Sequence, residues 1–323
     1  MKAFVFEKYG SADNLYLTQI DKPTPTADQI LIKVVVTSFN GSDKEMLRGR
    51  PLYARMGGLF RPRKWVLGSD IAGIVEAVGS NVTEFKVDDA VYGEMPGYRG
   101  GLAEYVCVDG GLLAHKPADL SFADAAAIPQ AGTIAYHGLI NEGKLKAGQK
   151  VLINGAGGAG GSFGIQLAKH IGAEVTGVDN EHKLEFMRTM GADCVIDYKK
   201  EDFAKNGKQY DLILDLFATR SPSAIIDSLA AGGTYLAVGG SVRRILQLFM
   251  QNKRIKERTG KNVAMMGVDQ NREHLMAISK FVTDGHIQPA IDHLYEFEQA
   301  PKALQRMLDG KALGKIVVNV SGE

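Results

Sequence analysis

The chain has 323 residues, of which 45% are hydrophobic and 23% charged, so it can bury a sizeable core and form about two domains. Its 38 basic and 37 acidic residues leave a net charge of +1, which gives no overall field for a polyanion, so we expect no nucleic-acid partner. Cys107 and Cys194 are too few for a disulfide framework, residues 1–8 become charged too early for a signal peptide, and no apolar run could cross a bilayer, so we expect a cytoplasmic protein without a membrane span.

Up to about residue 120 the apolar runs are short and rich in β-branched residues, which predicts strands at 3–6, 30–36, 71–78 and 103–108. From about residue 121 apolar strands alternate with helical patterns. The predicted strands are 151–153, 175–178, 194–196, 212–214 and 235–238, and the predicted helices are 162–171, 182–190 and 223–229. This alternation is typical of a doubly wound parallel sheet in an α/β fold. A strand near 263–266, helices at 272–282 and 298–308, and a strand at 315–320 complete the chain.

A glycine-rich turn joins the predicted strand at 151–154 to the apolar helix after it. The turn reads Gly155, Ala156, Gly157, Gly158, Ala159, Gly160 and Gly161. Glycines allow positive φ and close backbone approach, and the helix then presents free N–H groups and a positive dipole end to a pyrophosphate. Glycine clusters also occur in purely structural turns, but the strand, the helix and a later acid supply the context of a dinucleotide site. A Walker-type phosphate loop is disfavoured because no Gly-Lys-Ser/Thr follows the turn.

Several ordered motifs together resemble the zinc-independent quinone oxidoreductase branch of the medium-chain dehydrogenase/reductase superfamily. They are residues 67–79, 129–133, 154–169, 191–198 and 298–317. In that family the glycine register falls on Gly155, Gly158 and Gly161. The resemblance implies a mainly-β GroES-like catalytic domain from residues 1–120 and 269–323 and a Rossmann domain from residues 121–268. It also implies that cofactor and substrate lie in the cleft between these domains.

The choice between NAD(H) and NADP(H) depends on three residues after the turn. Asp179 ends the strand at 175–178, where an acid would bind both ribose hydroxyls of NAD and repel a 2′-phosphate. Lys183 and Tyr198 match the lysine and tyrosine that NADP-dependent relatives use on that phosphate, although each could equally be a solvated or packed side chain. We favour NADP(H) and expect both cofactors to be accepted.

Zinc-dependent members of the superfamily carry a thiolate where this chain has Asn40, and a His-Glu pair where it has Ser69 and Asp70. The four-cysteine lobe is missing too, and the seven histidines show no ligand spacing, so we expect no zinc. Without a Lewis acid, the substrate should be intrinsically electrophilic, which favours a quinone or an α,β-unsaturated carbonyl.

Asn40 and Asp43 match the Asn-x-x-Asp that related quinone reductases carry beside the nicotinamide, and they are the candidate catalytic residues. Asn40 could donate a hydrogen bond to a substrate or cofactor oxygen, or the pair could simply cap a turn between a strand and a helix. The tyrosine that some relatives carry two residues after the Asp is Glu45 here.

Three further residues are candidates for contact with the cofactor. Thr133 lies near the family threonine that approaches the nicotinamide, although Ile134 holds the exact family position. Gly239 and Gly240 end the strand at 235–238, where a parallel sheet binds ligands at its carboxyl edge.

Tyr53 and Trp65 are candidate substrate contacts, because they flank a basic segment that the family uses as a variable substrate loop. They could stack on a flat substrate, or they could be ordinary loop aromatics. Residues 243–261 carry seven basic residues against one acid, interleaved with apolar residues. This pattern predicts an amphipathic helix, and we favour a solvated basic face over a membrane, RNA or phosphate contact.

The sequence therefore predicts an NAD(P)H-dependent, zinc-independent reductase of quinones or enones. Zinc-independent alcohol or aldehyde reduction is one alternative, and a dinucleotide-binding regulatory or structural protein with little turnover is another. The resemblance also implies a homodimer, formed through the strand near residues 263–266.

Overall fold

The structure is a computed structural model that describes residues 1–55, 57–63, 65–268 and 270–322, with only the backbone of Tyr98. It divides into two compact units. Unit 1 comprises Met1–Thr133, Gln270–Thr283 and Pro289–Glu323, and unit 2 comprises Ile134–Asp269 and Asp284–Gln288. Residues 121–133, which the sequence-based division assigns to the cofactor domain, group with unit 1. They are tied to its sheet, since the Ser38 hydroxyl donates to the Ala126 carbonyl at 2.7 Å.

The described residues form sixteen strands and nine α-helices. The strands are β1 (Lys2–Phe6), β2 (Tyr16–Gln19), β3 (Gln29–Phe39), β4 (Trp65–Val66), β5 (Asp70–Val78), β6 (Ala90–Glu94), β7 (Tyr105–Asp109), β8 (Leu113–His115), β9 (Lys150–Asn154), β10 (Glu174–Asp179), β11 (Cys194–Asp197), β12 (Tyr210–Asp215), β13 (Leu229–Ala237), β14 (Asn262–Met265), β15 (Ile291–Glu296) and β16 (Lys315–Asn319). The helices are α1 (Gly41–Arg48), α2 (Phe122–Ala127), α3 (Pro129–Tyr136), α4 (Ala159–Ile171), α5 (Leu184–Thr189), α6 (Pro222–Ile225), α7 (Val242–Thr259), α8 (Arg272–Thr283) and α9 (Ala300–Leu308).

Unit 1 is built mainly of antiparallel strands. One sheet has the order β15-β16-β3-β5-β6-β8, with β7 also paired to β3, and a smaller sheet has the order β2-β1-β4. Strands from both ends of the sequence pair directly, because β16 lies antiparallel to β3 with Ile316 opposite Phe39. Buried aliphatic and aromatic side chains from both ends form one core, including Phe4, Phe39, Leu47, Phe297 and Leu304. This sheet places Asn40, which directly follows β3, beside Asp70 at the start of β5 and Lys315 at the start of β16.

Unit 2 contains a six-stranded sheet with the order β11-β10-β9-β12-β13-β14, in which every pair is parallel. In chain order within the unit this is the 3-2-1-4-5-6 arrangement of a doubly wound dinucleotide-binding sheet. Strands β9, β10 and β12 are buried at all but one residue each, as expected for strands covered on both faces. Their carboxyl ends coincide, since Asn154 pairs with both Val178 and Asp215.

The α/β fold class predicted from the sequence is confirmed, and so are most of the long elements. The predicted helix at 223–229 is instead the short α6 followed by a single 3-10 turn, and β13 begins at Leu229. The tertiary pairing of β13 with β12 starts at Leu229 and overrides the local helical pattern there. Strand β15 was not predicted, because its sequence, Ile-Asp-His-Leu-Tyr-Glu, does not alternate between apolar and polar residues.

Candidate functional site

The glycine turn of unit 2 depends on the absence of side chains at two places. Gly155 has φ +91°, and its N–H and that of Ala156 donate to the Val178 carbonyl at 2.8 and 3.1 Å. At Gly161 an added Cβ would lie 2.4 Å from the Cα of Ala156. The first glycine therefore allows the reversal of the chain, and the last lets α4 pack directly on the turn. The N-terminus of α4, with Gly158 as its N-cap, is left with N–H groups suited to a pyrophosphate.

Asp179, at the carboxyl end of β10, is bound to the glycine turn. Its Oδ2 atom accepts the N–H of Gly157 at 3.1 Å and lies 3.7 Å from the Lys183 ammonium, while Oδ1 accepts the N–H of Asn180 at 2.8 Å. The side chains of Asp179 and Lys183 are both more than nine-tenths buried. Both carboxylate oxygens of Asp179 thus form contacts within the protein. The Lys183 ammonium lies beside the carboxylate that is predicted to bind the cofactor ribose.

Lys183 and Tyr198 lie at the same edge of the sheet as Asp179. The stem of Lys183 covers the turn so closely that a Cβ at Gly157 would lie 2.6 Å from the lysine Cβ. Tyr198 donates its backbone N–H to the Asp179 carbonyl at 3.1 Å and leaves its side chain half exposed. The structure therefore brings together the three residues on which the cofactor prediction depends.

Asp197 is a residue of this edge that the sequence analysis did not select. It pairs in register with Asp179, and its buried Oδ2 atom has no hydrogen-bond partner among the described residues. The only available signal was its place at the end of the strand after the one that carries Asp179. An unpartnered buried carboxylate oxygen at this position is an acceptor available to a ligand.

The carboxyl ends of three neighbouring strands are joined by one buried acid, Asp215. Its Oδ1 atom accepts from the side-chain amide of Asn154 at 2.7 Å, and its Oδ2 atom accepts from the Tyr235 hydroxyl at 2.9 Å. Burial, together with the neighbouring Asp215 charge, raises the pKa of Tyr235. Gly239 and Gly240, just beyond β13, have φ of +70° and +114°. These hydrogen bonds link β9, β12 and β13 near the carboxyl edge of the sheet, where the cofactor is predicted to bind. Sequence reasoning missed this network.

Thr133 has its hydroxyl engaged within its own helix. The Oγ1 atom donates to the carbonyl of Pro129 at 2.8 Å or of Gln130 at 3.2 Å, and the side chain is buried. Ile134, at the exact family position, is half-buried. Contact between Thr133 and a nicotinamide stays a prediction.

Asn40 lies at the N-cap of α1 and is fully hydrogen-bonded inside unit 1. Its side-chain N–H groups donate to the Ser69 hydroxyl at 2.8 Å and to the Asp70 carboxylate at 2.7 Å. Its Oδ1 atom accepts from the Lys315 ammonium at 2.6 Å. Both amide hydrogens are therefore occupied, and the predicted donation to a substrate would require one of these bonds to be exchanged.

Asp43 closes the first turn of α1, as the capping alternative predicts. Its carboxylate accepts from the N–H of Asn40 at 2.8 Å, the N–H of Gly68 at 2.7 Å and the Ser69 hydroxyl at 2.6 Å. Burial raises the pKa of Asp43 to about 6, against the opposing effect of these donors. Asp43 thus stabilises the start of the helix, and a catalytic role for it stays a prediction.

A completely buried ion pair lies beneath Asn40. The Lys315 ammonium is 2.6 Å from the Asp70 carboxylate, and neither side chain has any exposed surface. Asp70 also accepts from the backbone N–H of Gln130 at 3.1 Å. The Ser38 hydroxyl donates its one hydrogen either to Asp70 at 3.2 Å or to the Ala126 carbonyl at 2.7 Å. Sequence reasoning missed Lys315, because a lysine before an apolar run gives no sign of burial. We call Asn40, Ser69, Asp70 and Lys315 the buried polar cluster.

The buried polar cluster occupies the place where the zinc-dependent relatives hold their metal, according to the resemblance. Zinc requires lone pairs from thiolate, imidazole or carboxylate ligands. Here an amide N–H and an ammonium both point at the one carboxylate, Asp70. This donor set does not fit zinc. Among the residues that the structure describes, no group of three His, Cys, Asp or Glu side chains could hold a metal ion.

Glu94 adds a second buried acid, at the end of β6 opposite Asp70. It accepts a hydrogen bond from the Gln130 side chain at 2.6 Å. Burial, and then the nearby Asp70 charge, raises the pKa of Glu94 from 4.5 to about 8. At neutral pH this carboxyl group is therefore largely protonated.

We expect the free energy of unfolding to depend on pH through Glu94. Glu94 loses its proton at a pH of about 8 in the folded chain but at about 4.5 in the unfolded chain. Protonated Glu94 therefore stabilises the folded state fully below pH 4.5, and this stabilisation is lost as the pH rises to about 8. One proton gives a slope of at most about 1.4 kcal/mol per pH unit. Urea unfolding is measured between pH 6 and 8, and the difference between the wild type and Glu94→Gln should show this slope, because the titration of Asp43 near pH 6 is common to both. The exposed Glu298→Gln is the control, and a wild-type-minus-Glu94→Gln difference independent of pH would contradict the prediction.

Tyr53 and Trp65 differ in their availability. Tyr53 is 38% exposed and donates its hydroxyl to Glu45 at 3.0 Å. Trp65 is buried, with the Arg99 guanidinium 4.1 Å from its ring centroid and Gly57 packed against the ring. A flat substrate could reach Tyr53 more readily than Trp65, and both contacts stay predictions.

The chain is similar to known dehydrogenases and reductases in both sequence and structure. Residues 26–118 match the alcohol dehydrogenase GroES-like domain, and residues 190–318 match a zinc-binding dehydrogenase domain. A 2-methylene-furan-3-one reductase of Solanum lycopersicum is 32% identical over 99% of this chain and 79% of its own length. A chloroplastic NADPH-dependent alkenal/one oxidoreductase of Arabidopsis thaliana is 33% identical over 98% and 79%. The structure of the quinone oxidoreductase from Coxiella burnetii superposes with a TM-score of 0.87, at 28% identity over 99% of both chains.

The chain belongs to the quinone oxidoreductase-like branch of the medium-chain dehydrogenase/reductase superfamily. It is an NAD(P)H-dependent oxidoreductase with a GroES-like domain and a Rossmann-type parallel sheet. The resemblance identified from the sequence motifs is thus confirmed. Among the described residues, no helix combines the length and the apolar character needed to cross a bilayer.

Proposed function

We propose that this protein reduces quinones or α,β-unsaturated carbonyl compounds with NAD(P)H and without zinc. The observation that carries the proposal is the buried polar cluster. At the position that holds the metal in zinc-dependent relatives, the Asp70 carboxylate accepts from the Lys315 ammonium and the Asn40 amide. Lys315 lies 2.6 Å from both Asp70 and Asn40. The substrate must then be electrophilic by itself, because the cluster supplies no Lewis acid.

The cofactor fits the glycine turn. When bound, the dihydronicotinamide supplies the hydride. Gly155, Gly158 and the N-terminus of α4 would bind the pyrophosphate, and Asp179, Lys183 and Tyr198 would surround the adenosine ribose. Gly239 and Gly240 would offer backbone groups nearer the nicotinamide. These residues bind and orient, which is the protein's main contribution when the acceptor is already activated.

The relatives support an activated acceptor. The tomato relative is named for a methylene-furanone and the Arabidopsis relative for alkenals and alkenones. In such conjugated carbonyls a hydride can add at carbon while negative charge develops on oxygen, where a hydrogen-bond donor stabilises it. We therefore place enones and enals beside quinones as substrates.

A panel of acceptors tests the proposal. NADPH and NADH oxidation is measured with quinones, enones, enals, and simple aldehydes and ketones, using protein whose zinc content is determined by elemental analysis. We expect conjugated acceptors to be reduced and simple carbonyls to react at least about 100-fold more slowly, a difference in barrier of about 2.7 kcal/mol. If nucleotide binds but no acceptor accelerates its oxidation, the protein is a binding protein with little turnover. Stoichiometric zinc in active protein would contradict zinc independence.

We further propose a preference for NADP(H), carried by Lys183. Its ammonium lies 3.7 Å from Asp179 and offsets that negative charge at the strand edge where we expect the adenosine ribose. Loss of one charge-assisted contact predicts that Lys183→Ala raises the Kd for NADPH about 10- to 100-fold and that for NADH less than about threefold. Calorimetry with both nucleotides measures this, with the exposed Lys208→Ala as control. Equal affinities that ignore the substitution would remove Lys183 from the site.

A homodimer through β14 remains part of the proposal. In the described part of the chain β14 is an edge strand, paired only with β13, and edge strands offer unpaired backbone groups to a second copy. Sedimentation of the wild-type protein tests this: we expect the mass of two chains, and the mass of one chain would contradict it. We also place the protein in a reducing compartment, the cytoplasm, because both cysteines are free.

A further inference from the structure

Helix α7 carries exposed apolar side chains along its first half. They lie on one face, at positions separated by helical spacing, and are 45%, 55%, 70% and 76% exposed at Val242, Leu246, Phe249 and Met250 respectively. The opposite face is anchored in unit 2 by buried Leu248 and Ile255. Such a contiguous apolar row on a helix surface is typical of a contact site rather than of solvated surface.

The second half of α7 is strongly basic. Lys253 and Lys256 follow Phe249 by four and seven residues, so they continue the same face. The whole helix has six basic residues and one acid, Glu257, in a chain whose net charge is only +1. Five of these cations form no ion pair or side-chain hydrogen bond with any residue that the structure describes. They are Arg243, Lys253, Arg254, Lys256 and Arg258.

A groove on the other side of α7, away from the apolar row, combines the same kinds of side chain. It has a volume of about 490 Å³, and its lining includes Ile226 and Ile255 together with Arg254 and Arg258. The two arginines are four residues apart, so their guanidinium groups project from the same side of α7. Guanidinium groups beside apolar surface suit a phosphate attached to an aliphatic chain.

We propose that α7 docks on an anionic lipid bilayer. The row Val242, Leu246, Phe249 and Met250 enters the boundary between headgroups and acyl chains, and Lys253 and Lys256, which continue the same face, bind headgroup phosphates. A second copy of α7 is a poor occupant, because two such helices would bring their like charges together. A nucleic acid would satisfy the cations but leave the apolar row in water. Only the lipid surface offers anions and an apolar layer together.

Flotation of the full-length protein with vesicles tests this proposal. The vesicles are phosphatidylcholine alone or phosphatidylcholine with phosphatidylserine. We expect at least about tenfold stronger binding to the anionic vesicles, with loss of at least about tenfold in Leu246→Ser/Phe249→Ser and in Lys253→Glu/Lys256→Glu. Met276→Ser and Leu294→Ser, exposed apolar positions in unit 1, and Lys205→Glu/Lys208→Glu should bind within about twofold of the wild type. Circular dichroism establishes that every variant is folded.

Three results would overturn the proposal. The first is wild-type protein that does not float with anionic vesicles, and the second is equal binding to both kinds of vesicle. The third is an apolar variant that binds like the wild type, which would reduce the contact to surface charge. Sedimentation of the same variants without lipid covers the remaining occupant, since a changed oligomeric state in Leu246→Ser/Phe249→Ser would assign the face to self-association.

Discussion

Replacement of Gly161 by alanine should weaken dinucleotide binding at least about 100-fold. The new Cβ would lie 2.4 Å from both the Ala156 Cα and the Gly155 carbonyl oxygen. Both are backbone atoms of the turn, so α4 must move away from the strand end that it caps. A displacement of about 1 Å in groups that orient a ligand can cost about 100-fold, and overpacking should lower the free energy of unfolding by about 1–3 kcal/mol. Fluorescence titration with NADPH and NADH, together with urea unfolding, measures both effects.

Gly267→Ala is the matched control for this substitution. It makes the same change within unit 2, but its Cβ would meet no atom within 4 Å. We expect its nucleotide affinity and its stability to stay close to those of the wild type. Wild-type affinity in Gly161→Ala would contradict the assignment of the turn as the pyrophosphate site.

Replacement of Lys315 by methionine should lower the free energy of unfolding by about 3–5 kcal/mol. The substitution removes one partner of an ion pair that has no exposed surface, and leaves the Asp70 carboxylate buried without a countercharge. Donors from Asn40, Ser38 and Gln130 remain, but they do not replace the ammonium. Urea unfolding at neutral pH measures the loss.

A double-mutant cycle separates the charge from the packing. Lys315→Met/Asp70→Asn removes both charges, and we expect it to be more stable than Lys315→Met alone. Lys22→Met is the exposed counterpart, because Lys22 also lies 2.6 Å from its partner, Glu76, at 41% and 40% side-chain exposure. Its loss should be too small to measure reliably, because solvent screens an exposed ion pair. Similar losses in Lys22→Met and Lys315→Met would show that burial of the pair does not matter.

Asn40 connects this stability effect to the chemistry that we propose. Its amide is oriented by Lys315 on one side and by Ser69 and Asp70 on the other. Lys315→Met frees the Oδ1 atom of Asn40, so the amide can rotate. Any activity that depends on the orientation of Asn40 should fall in this variant beyond what the loss of folded protein explains.

Much of the fold could be predicted because it depends on local patterns. Apolar runs of the right length marked β9, β10 and β12, and the alternation of strands with helices indicated a parallel sheet. Asp179 was selected from its place at the end of a parallel strand, whereas Lys183 and Tyr198 were selected from the family resemblance. The helical pattern in residues 243–261 was also predicted, although its exposed apolar row was not.

The sequence by itself therefore determined the succession of strands and helices along the chain and the glycine turn. These features depend on residues close together in the sequence. Only the tertiary structure decided the buried polar cluster. Lys315 and Asp70 are 245 residues apart, and no local pattern distinguishes a lysine that will be buried from one that will be solvated. Their pairing arises because β16, from the end of the chain, lies beside β3 and so brings its first residue to Asn40. The cost of burying each charge is offset by the other and by the hydrogen bonds of Asn40 and Gln130, so the site exists only in the assembled sheet.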